Sequence, residues 1–138
     1  MKYFVVPEPI SMLNTVTKKP LTYGKDHPQE GENVVISAHR FILDNICANK
    51  DIGKGVEAIR RVRKLDMALE DTKAGDIVGI EDADYAVIMK IMGEMEFQSP
   101  VHAAQLLPFF EAWENTAKQD EEWKKKQNQL RKNLNLQQ

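Results

Sequence analysis

The spacing of apolar and polar residues predicts a short β-rich start followed by helices. Lys2 to Val6 combines aromatic and β-branched residues and is a strand candidate, and a weaker alternation resumes from Ile10 to Val16. The turn signal at Lys18 to Pro20 and the polar stretch from Gly24 to Asn33 bound these runs. We therefore expect a hairpin or small sheet here, after which Val34 to Ile36 either adds a strand or leads directly into a helix.

Two helical patterns follow. Ser37 is an N-cap candidate for a helix that runs to about Asn49, and its apolar residues fall on one face. Asp51 is the cap candidate for a second helix, which ends before Gly75. The predicted buried faces are Ala38, Phe41, Ile42 and Ile46 in the first helix, and Ile52, Val56, Ile59 and Val62 in the second.

A strand and a third helix are predicted next. Asp76 to Ile80 is a short apolar run between a glycine and an acidic cluster, which favours a strand. The turn from Glu81 to Asp84 places negative charge at the start of the third helix, where the helix dipole favours it, and Asp82 is its cap candidate. The core-facing stripe of this helix is Tyr85, Ile88, Met92 and Met95.

The segment from Ser99 to Gln138 has the pattern of one long helix with two different halves. Ser99 and Pro100 are start signals, and Pro108 predicts a kink near Leu106 and Leu107. The first half supplies three aromatic residues that we expect to anchor the helix to the core. They are Phe109, Phe110 and Trp113.

The second half of this segment is charged. From Asn115 onward, six basic residues stand against three acidic ones, a local net charge of +3. Three apolar residues recur there by seven and four, namely Trp123, Leu130 and Leu134. Such a thin stripe is typical of a short coiled coil or a docking helix, so these are the predicted partner-binding residues. A frayed, solvated tail is the alternative interpretation.

Together these patterns predict an α+β fold, a mostly helical single domain with a small N-terminal β-element and a long C-terminal helix. Residues 1–117 form the predicted compact domain, and residues 118–138 form a charged C-terminal helical extension. The chain of 138 residues is 42% hydrophobic, enough for a core of its own. No apolar stretch approaches the roughly 20 residues that span a bilayer, and Pro7 and Pro9 interrupt any signal-peptide pattern. We therefore expect a cytoplasmic protein without a membrane partner.

The sequence shows no constellation that indicates catalysis, a metal or a cofactor. The three histidines are far apart, and the single cysteine, Cys47, lies among apolar residues and is expected to be a buried, inert thiol. The acidic residues between Asp66 and Asp84 outnumber the basic ones by seven to one, but the turn at Glu81 to Asp84 has the pattern of an exposed surface rather than of a catalytic carboxylate pair. We expect a protein that is not an enzyme.

Basic residues suggest a second, weaker possibility. With a formal net charge of −2 the whole chain does not attract nucleic acid, so phosphate binding would need a local patch. The candidate phosphate contacts are Arg60, Arg61, Arg63, Lys124, Lys125 and Lys126. Acidic residues interleave with the arginines at helical spacing, which is typical of a solvated helix face.

Three separated segments resemble a set of small proteins encoded by tailed bacteriophages and prophages. In chain order they are MKYFVVPEP, AGDIVGIEDADYAVIMKIM and LLPFFEAWENT. The resemblance implies no activity and no functional residues; it implies a viral setting, the host cytoplasm or the virion, in which small chains commonly act by binding. The expected partner is the protein itself or another phage protein, in head or tail assembly. The alternatives are an inhibitor of a host protein, in host takeover or anti-defence, and a nucleic-acid-binding accessory.

Overall fold

Two small antiparallel sheets pair strands that are distant in sequence. The computed structural model describes residues 1–116, 125–126 and 128–134. Its strands are β1 (Lys2–Val5), β2 (Ile10–Ser11), β3 (Val35–Ile36) and β4 (Ile77–Ile80). β1 pairs with β4, and β2 pairs with β3. The predicted strands are present, but the partner of β1 lies more than seventy residues later in the chain. Burial alternates along β4, which turns Val78 and Ile80 towards the core.

Helical segments make up most of the rest of the domain. They are α1 (Ala38–Phe41), which continues as a π-helix over Ile42–Cys47, a 3-10 turn at Lys50–Ile52, α2 (Gly55–Leu69), α3 (Asp82–Glu94), α4 (Pro100–Ala103), a 3-10 turn at Ala104–Leu106, and α5 (Leu107–Glu114). The predicted cap of the first helix is confirmed, because the Ser37 hydroxyl accepts a hydrogen bond from the Arg40 amide. Across the described residues, no helix combines the length and the apolarity that crossing a membrane requires.

Aromatic rings join the first strand, the first helix and the last described helix of the domain. Phe4 stacks on Trp113 with ring centroids 3.8 Å apart, and Phe41 stacks on Phe109 at 5.0 Å. All four rings are buried, which confirms the predicted anchoring by Phe109 and Trp113, whereas Phe110 is only half-buried. Ring pairs of this kind add stability beyond the area they bury. β1, α1 and α5 therefore share one core.

The predicted second helix is wrong in its start and in half of its buried face, since Ile52 is buried and Val62 packs against the core as expected but Val56 and Ile59 do not. Asp51 lies in the 3-10 turn, and α2 begins only at Gly55, whose φ of +61° suits glycine. Val56 and Ile59 are 61% and 68% exposed, while the buried face of α2 contains Leu65 and Leu69. The sequence contains two stripes at helical spacing. The stripe that includes Leu65 and Leu69 forms the buried face, because it packs against β4 and the π-helix.

The single helix predicted from Ser99 onward is also not observed. α4 ends after four residues, a 3-10 turn follows, and α5 starts at Leu107. Pro108 lies in the first turn of α5, where the missing N–H would have had no helical partner, so this proline begins a helix instead of bending one. Residues 125–126 and 128–134 have helical backbone. The boundary predicted at residues 117 and 118 lies outside the described residues.

Asp82 does not cap the third helix. Glu81 occupies the N-cap position of α3, and Asp82 lies in the first helical turn. Its carboxylate pairs instead with the N-terminal ammonium group of Met1 at 3.0 Å. The start of the chain, which continues into β1, is thereby held next to the start of α3.

The first prediction concerns the aromatic core. We expect Phe109→Ala to lower the free energy of unfolding by about 3–5 kcal/mol, because it leaves a cavity between Phe41 and the rest of the core. Leu107→Ala, two residues away and half exposed, is the matched control and should cost less than about 1.5 kcal/mol. Urea unfolding followed by tryptophan fluorescence measures both. Equal costs for the two variants would contradict the packing of α5 described above.

Candidate protein-interaction groove

An open apolar groove lies where the end of α3 meets α4 and α5. Its volume is about 350 Å³, within the range of about 300–1,000 Å³ typical of ligand sites. Its lining includes Met92, Phe97, Ala103, Leu107, Phe110 and Glu114. The lining side chains are therefore mostly apolar, and Glu114 adds a carboxylate.

The groove exists because the chain breaks into short helical pieces here. The side chain of Gln105, in the 3-10 turn, accepts a hydrogen bond from the Leu13 amide at 2.8 Å and donates one to the Leu13 carbonyl at 2.9 Å. These two bonds hold the turn against the N-terminal β region. Phe110 meets Phe41 edge-on on one side and Phe97 edge-on on the other, at 5.0 and 5.9 Å. The turn that separates α4 from α5 is thus fixed by contacts to other elements.

Large apolar side chains at the groove stay in contact with water. Phe97 and Leu107, both in its lining, are 42% and 50% exposed, and the neighbouring Val101 is 69% exposed. Single exposed apolar residues are ordinary, but several around one concave surface are typical of a binding site. The groove is therefore the candidate functional site of the domain.

The segment that lines the groove is acidic. From Ile91 to Thr116, directly after Lys90, the chain has four glutamates and neither lysine nor arginine. The four are Glu94, Glu96, Glu111 and Glu114, and all are exposed. None of them pairs with a cation among the residues that the structure describes. The groove thus combines an apolar floor with unneutralised negative charge.

Two of the predicted partner-binding residues, Leu130 and Leu134, do not line this groove. Leu130 and Leu134 lie on the helical stretch 128–134 and are 62% and 61% exposed. Their spacing of four places them on the same side of a helix. Trp123 and Lys124 lie outside the described residues. Lys125 and Lys126 are exposed on helical backbone.

The predicted arginine cluster is divided by the fold. Arg61 faces inward, and its guanidinium donates hydrogen bonds to the Asp84 carboxylate at 2.8 Å and to the Ile52 carbonyl at 2.5 Å. Its side chain is only 12% exposed, and that of Asp84 is 5% exposed. The expectation that Asp84 belongs to an exposed turn is therefore wrong. Arg60 and Arg63 are exposed, so these two remain available to a phosphate while Arg61 is occupied.

Lys64 extends the ion pair into a small network between α2 and α3. Its ammonium group lies 2.9 Å from the Glu81 carboxylate and 3.1 Å from that of Asp84. Hydrogen bonds to Glu81 and then to Asp84 raise the pKa of Lys64. The network holds the start of α3 against α2, a structural role that accounts for two of the four cations between positions 60 and 64.

A second exposed apolar surface lies on α2. Val56, Ile59 and Met67 point to solvent, with Arg60 and Arg63 among them. The cations interrupt this surface, and their long side chains can cover apolar area. We regard it as a weaker candidate than the groove.

Two further side chains of types that often take part in catalysis, His39 and Cys47, have structural surroundings instead. His39 Nε2 lies 2.6 Å from the Asp66 carboxylate, which links α1 to α2. Burial, and secondarily the charge of Asp66, raises the pKa of the Cys47 thiol to about 11. A thiol with so high a pKa is mostly protonated near neutrality, which agrees with the inert cysteine expected from the sequence, although Cys47 is half-buried and not fully buried as expected.

Comparisons with protein families, curated proteins and solved structures find no match to this chain. What the groove can do follows from its chemistry. An apolar floor with acidic surroundings can bind the apolar side of a basic amphipathic helix, in which leucines fill the groove and cations meet the glutamates.

Gln105, which shapes the groove, was missed at the sequence level because a glutamine in a helical pattern gives no sign of a partner 92 residues away.

The second prediction concerns the buried ion pair. We expect Asp84→Asn to lower the free energy of unfolding by about 3 kcal/mol, because it leaves the inward-facing Arg61 without its buried counter-charge and with only the exposed carboxylate of Glu57 at 3.6 Å. Asp44→Asn, which breaks the exposed Arg40–Asp44 pair, is the control and should cost less than about 1 kcal/mol. The apolar double variant Arg61→Met with Asp84→Leu should cost less than the sum of its single changes. Strict additivity in this urea-unfolding cycle would show that the pair is not coupled.

The third prediction concerns Cys47. Near pH 8 we expect its alkylation to be on the order of a hundredfold slower in the folded protein than in urea, because burial keeps the thiol protonated. The rate should rise as the pH approaches about 11. Iodoacetamide labelling followed by mass spectrometry measures it, with the urea-unfolded chain as the control. Equal rates in both states would mean that the thiol is not shielded.

Proposed function

We propose that this protein is a non-catalytic protein–protein interaction module of a tailed phage or prophage, acting in head or tail assembly or as a structural accessory. The observation that carries the proposal is the open apolar groove with exposed Phe97 and Leu107. The resemblance of three sequence segments to small phage proteins supports the setting.

The groove is suited to binding a protein segment. Its length is formed by side chains from α3, α4 and α5, so an elongated ligand would contact all three elements. Binding would remove the exposed parts of Phe97 and Leu107, about half of each side chain, from water, and this contributes roughly half of the 1.5–3 kcal/mol that full burial of each would give. The surrounding glutamates would select a basic partner and repel an acidic one.

Two other functions compete with assembly. The same groove could bind a host protein, in which case the protein would act early in infection as an inhibitor. The exposed Arg60 and Arg63 support a nucleic-acid-binding accessory, together with Lys125 and Lys126. Retention of DNA or RNA at about 50 mM salt, lost steeply by about 200 mM, would favour that accessory function.

The fourth prediction tests assembly. In a phage that carries this gene, we expect Leu107→Glu to reduce the yield of virions at least about tenfold, because a charge in the groove opposes burial of an apolar ligand. Partially assembled heads or tails should accumulate. Ile59→Glu, at an exposed apolar residue of α2 outside the groove, is the control and should leave the yield unchanged.

The stage of failure separates the alternatives. A block before virion proteins are made would favour the host inhibitor over assembly. A normal yield from the Leu107→Glu phage would contradict any essential role of the groove. Circular dichroism of both purified variants must show the wild-type fold, which we expect because both positions are exposed.

A further inference from the structure

We propose that the groove binds the C-terminal stretch 125–134 of a second copy of this chain. The inference deepens the proposed function, on which it rests, by naming the partner. In this arrangement each copy offers one groove and one C-terminal stretch. Two copies that exchange these parts form a closed dimer with twofold symmetry, in which both grooves are filled.

Charge complementarity is the first observation behind this proposal. The groove region from Ile91 to Thr116 carries four glutamates and no lysine or arginine. The stretch 125–134 carries three lysines and one arginine, and no aspartate or glutamate. The four cations are Lys125, Lys126, Arg131 and Lys132. Within the described part of the chain, none of these cations or glutamates takes part in an ion pair. The chain therefore contains two oppositely charged regions of equal formal charge, and each lacks a neutralising partner there.

Apolar complementarity is the second observation. Leu130 and Leu134 are exposed and lie one helical turn apart on one face of the helical stretch 128–134. A helix of seven residues is about 10 Å long, so it can present both leucines to one groove. The groove offers Phe97, Leu107 and Phe110 to them. Burial of the leucines would supply most of the affinity, and the charges would set orientation and raise the rate of association.

The exposure of the leucines argues that the groove of the same chain does not hold them. Leu130 and Leu134 are 62% and 61% exposed, and Phe97 and Leu107 also remain open to solvent. Both halves of the contact are thus present and unfilled in a single copy. A second copy supplies the missing half of each.

A charge-swap experiment on the full-length protein tests this proposal. One variant reverses the charge of the groove region from −4 to +4 by changing its four exposed glutamates to lysine, with Glu94→Lys, Glu96→Lys, Glu111→Lys and Glu114→Lys. The other reverses the charge of the C-terminal stretch from +4 to −4 with Lys125→Glu, Lys126→Glu, Arg131→Glu and Lys132→Glu. Sedimentation velocity and light scattering at low salt measure the dissociation constant of the dimer. Each variant alone should weaken the dimer at least about tenfold, because its groove and its C-terminal stretch then repel each other.

Mixing the two variants is the decisive step. In the mixture the basic groove of one variant meets the acidic stretch of the other, and the reverse pair matches as well. We therefore expect a heterodimer of near wild-type affinity, which added salt weakens. Leu134→Ser should also weaken the wild-type dimer, whereas Ile59→Ser on α2 should not.

Three results would overturn the proposal. They are a wild-type protein that stays monomeric at every accessible concentration, a dimer that is insensitive to both charge reversals, and a mixture that does not recover. A third variant carries both sets of substitutions in a single chain. If it regains wild-type thermal stability while the mixture does not recover the dimer, the stretch binds in the groove of its own chain. If the wild-type protein is a monomer, this inference is overturned, but Leu107→Glu should still reduce the virion yield. If Leu107→Glu does not reduce the yield, the proposed function is overturned, whatever the oligomeric state.

Discussion

The stacking of Phe4 on Trp113 is the contact on which the rest of the domain depends. It joins the fourth residue of the chain to the last described helix of the domain, with ring centroids 3.8 Å apart and both rings buried. Tyr85 adds a tie from α3, because its hydroxyl donates a hydrogen bond to the Trp113 carbonyl at 2.8 Å. Because α5 forms one wall of the groove, the position of the groove follows from these core contacts. An apolar surface can face water there only while Trp113 and Phe109 hold the other side of the same helix.

The distribution of charge gives the two sides of the domain different roles. Between α2 and α3, Arg61 and Asp84 neutralise each other out of water, and a buried pair of this kind contributes more to the specificity of packing than to net stability. Around the groove, by contrast, the glutamates are exposed and share one sign. Such charges repel each other weakly in water and are stabilised when a basic surface approaches. The formal net charge of −2 conceals this separation, because the basic C-terminal stretch offsets the acidic groove region in the total.

Sequence patterns predicted the elements better than their faces. The strand at Ile77–Ile80, the cap at Ser37 and the buried Phe109 and Trp113 followed from local signals that the structure confirms. The face of α2 was predicted only in part, because Ala58, Val62, Leu65 and Leu69 form a stripe as regular as the one that runs through Val56 and Ile59. Only contact with β4 and the π-helix distinguishes the two stripes. Asp84 was misjudged for the same reason, since a carboxylate in an acidic turn gives no local sign of an arginine 23 positions earlier.

The sequence by itself determined the mixed composition of the domain, the apolar residues available for its core and the opposite charges of its groove region and its C-terminal stretch. These properties depend on residue types and short-range spacing, which the chain carries locally. The tertiary structure alone decided that β1 pairs with β4, that Pro108 begins a helix, and that Gln105 holds the turn beside the groove. Each of these depends on contacts between residues far apart in the chain, whose free energies exceed the local preferences. The lining of the groove comes from one segment, Met92 to Glu114, but the groove is also such a result, because the contacts of Gln105 with Leu13 and of Phe110 with Phe41 fix that segment in place.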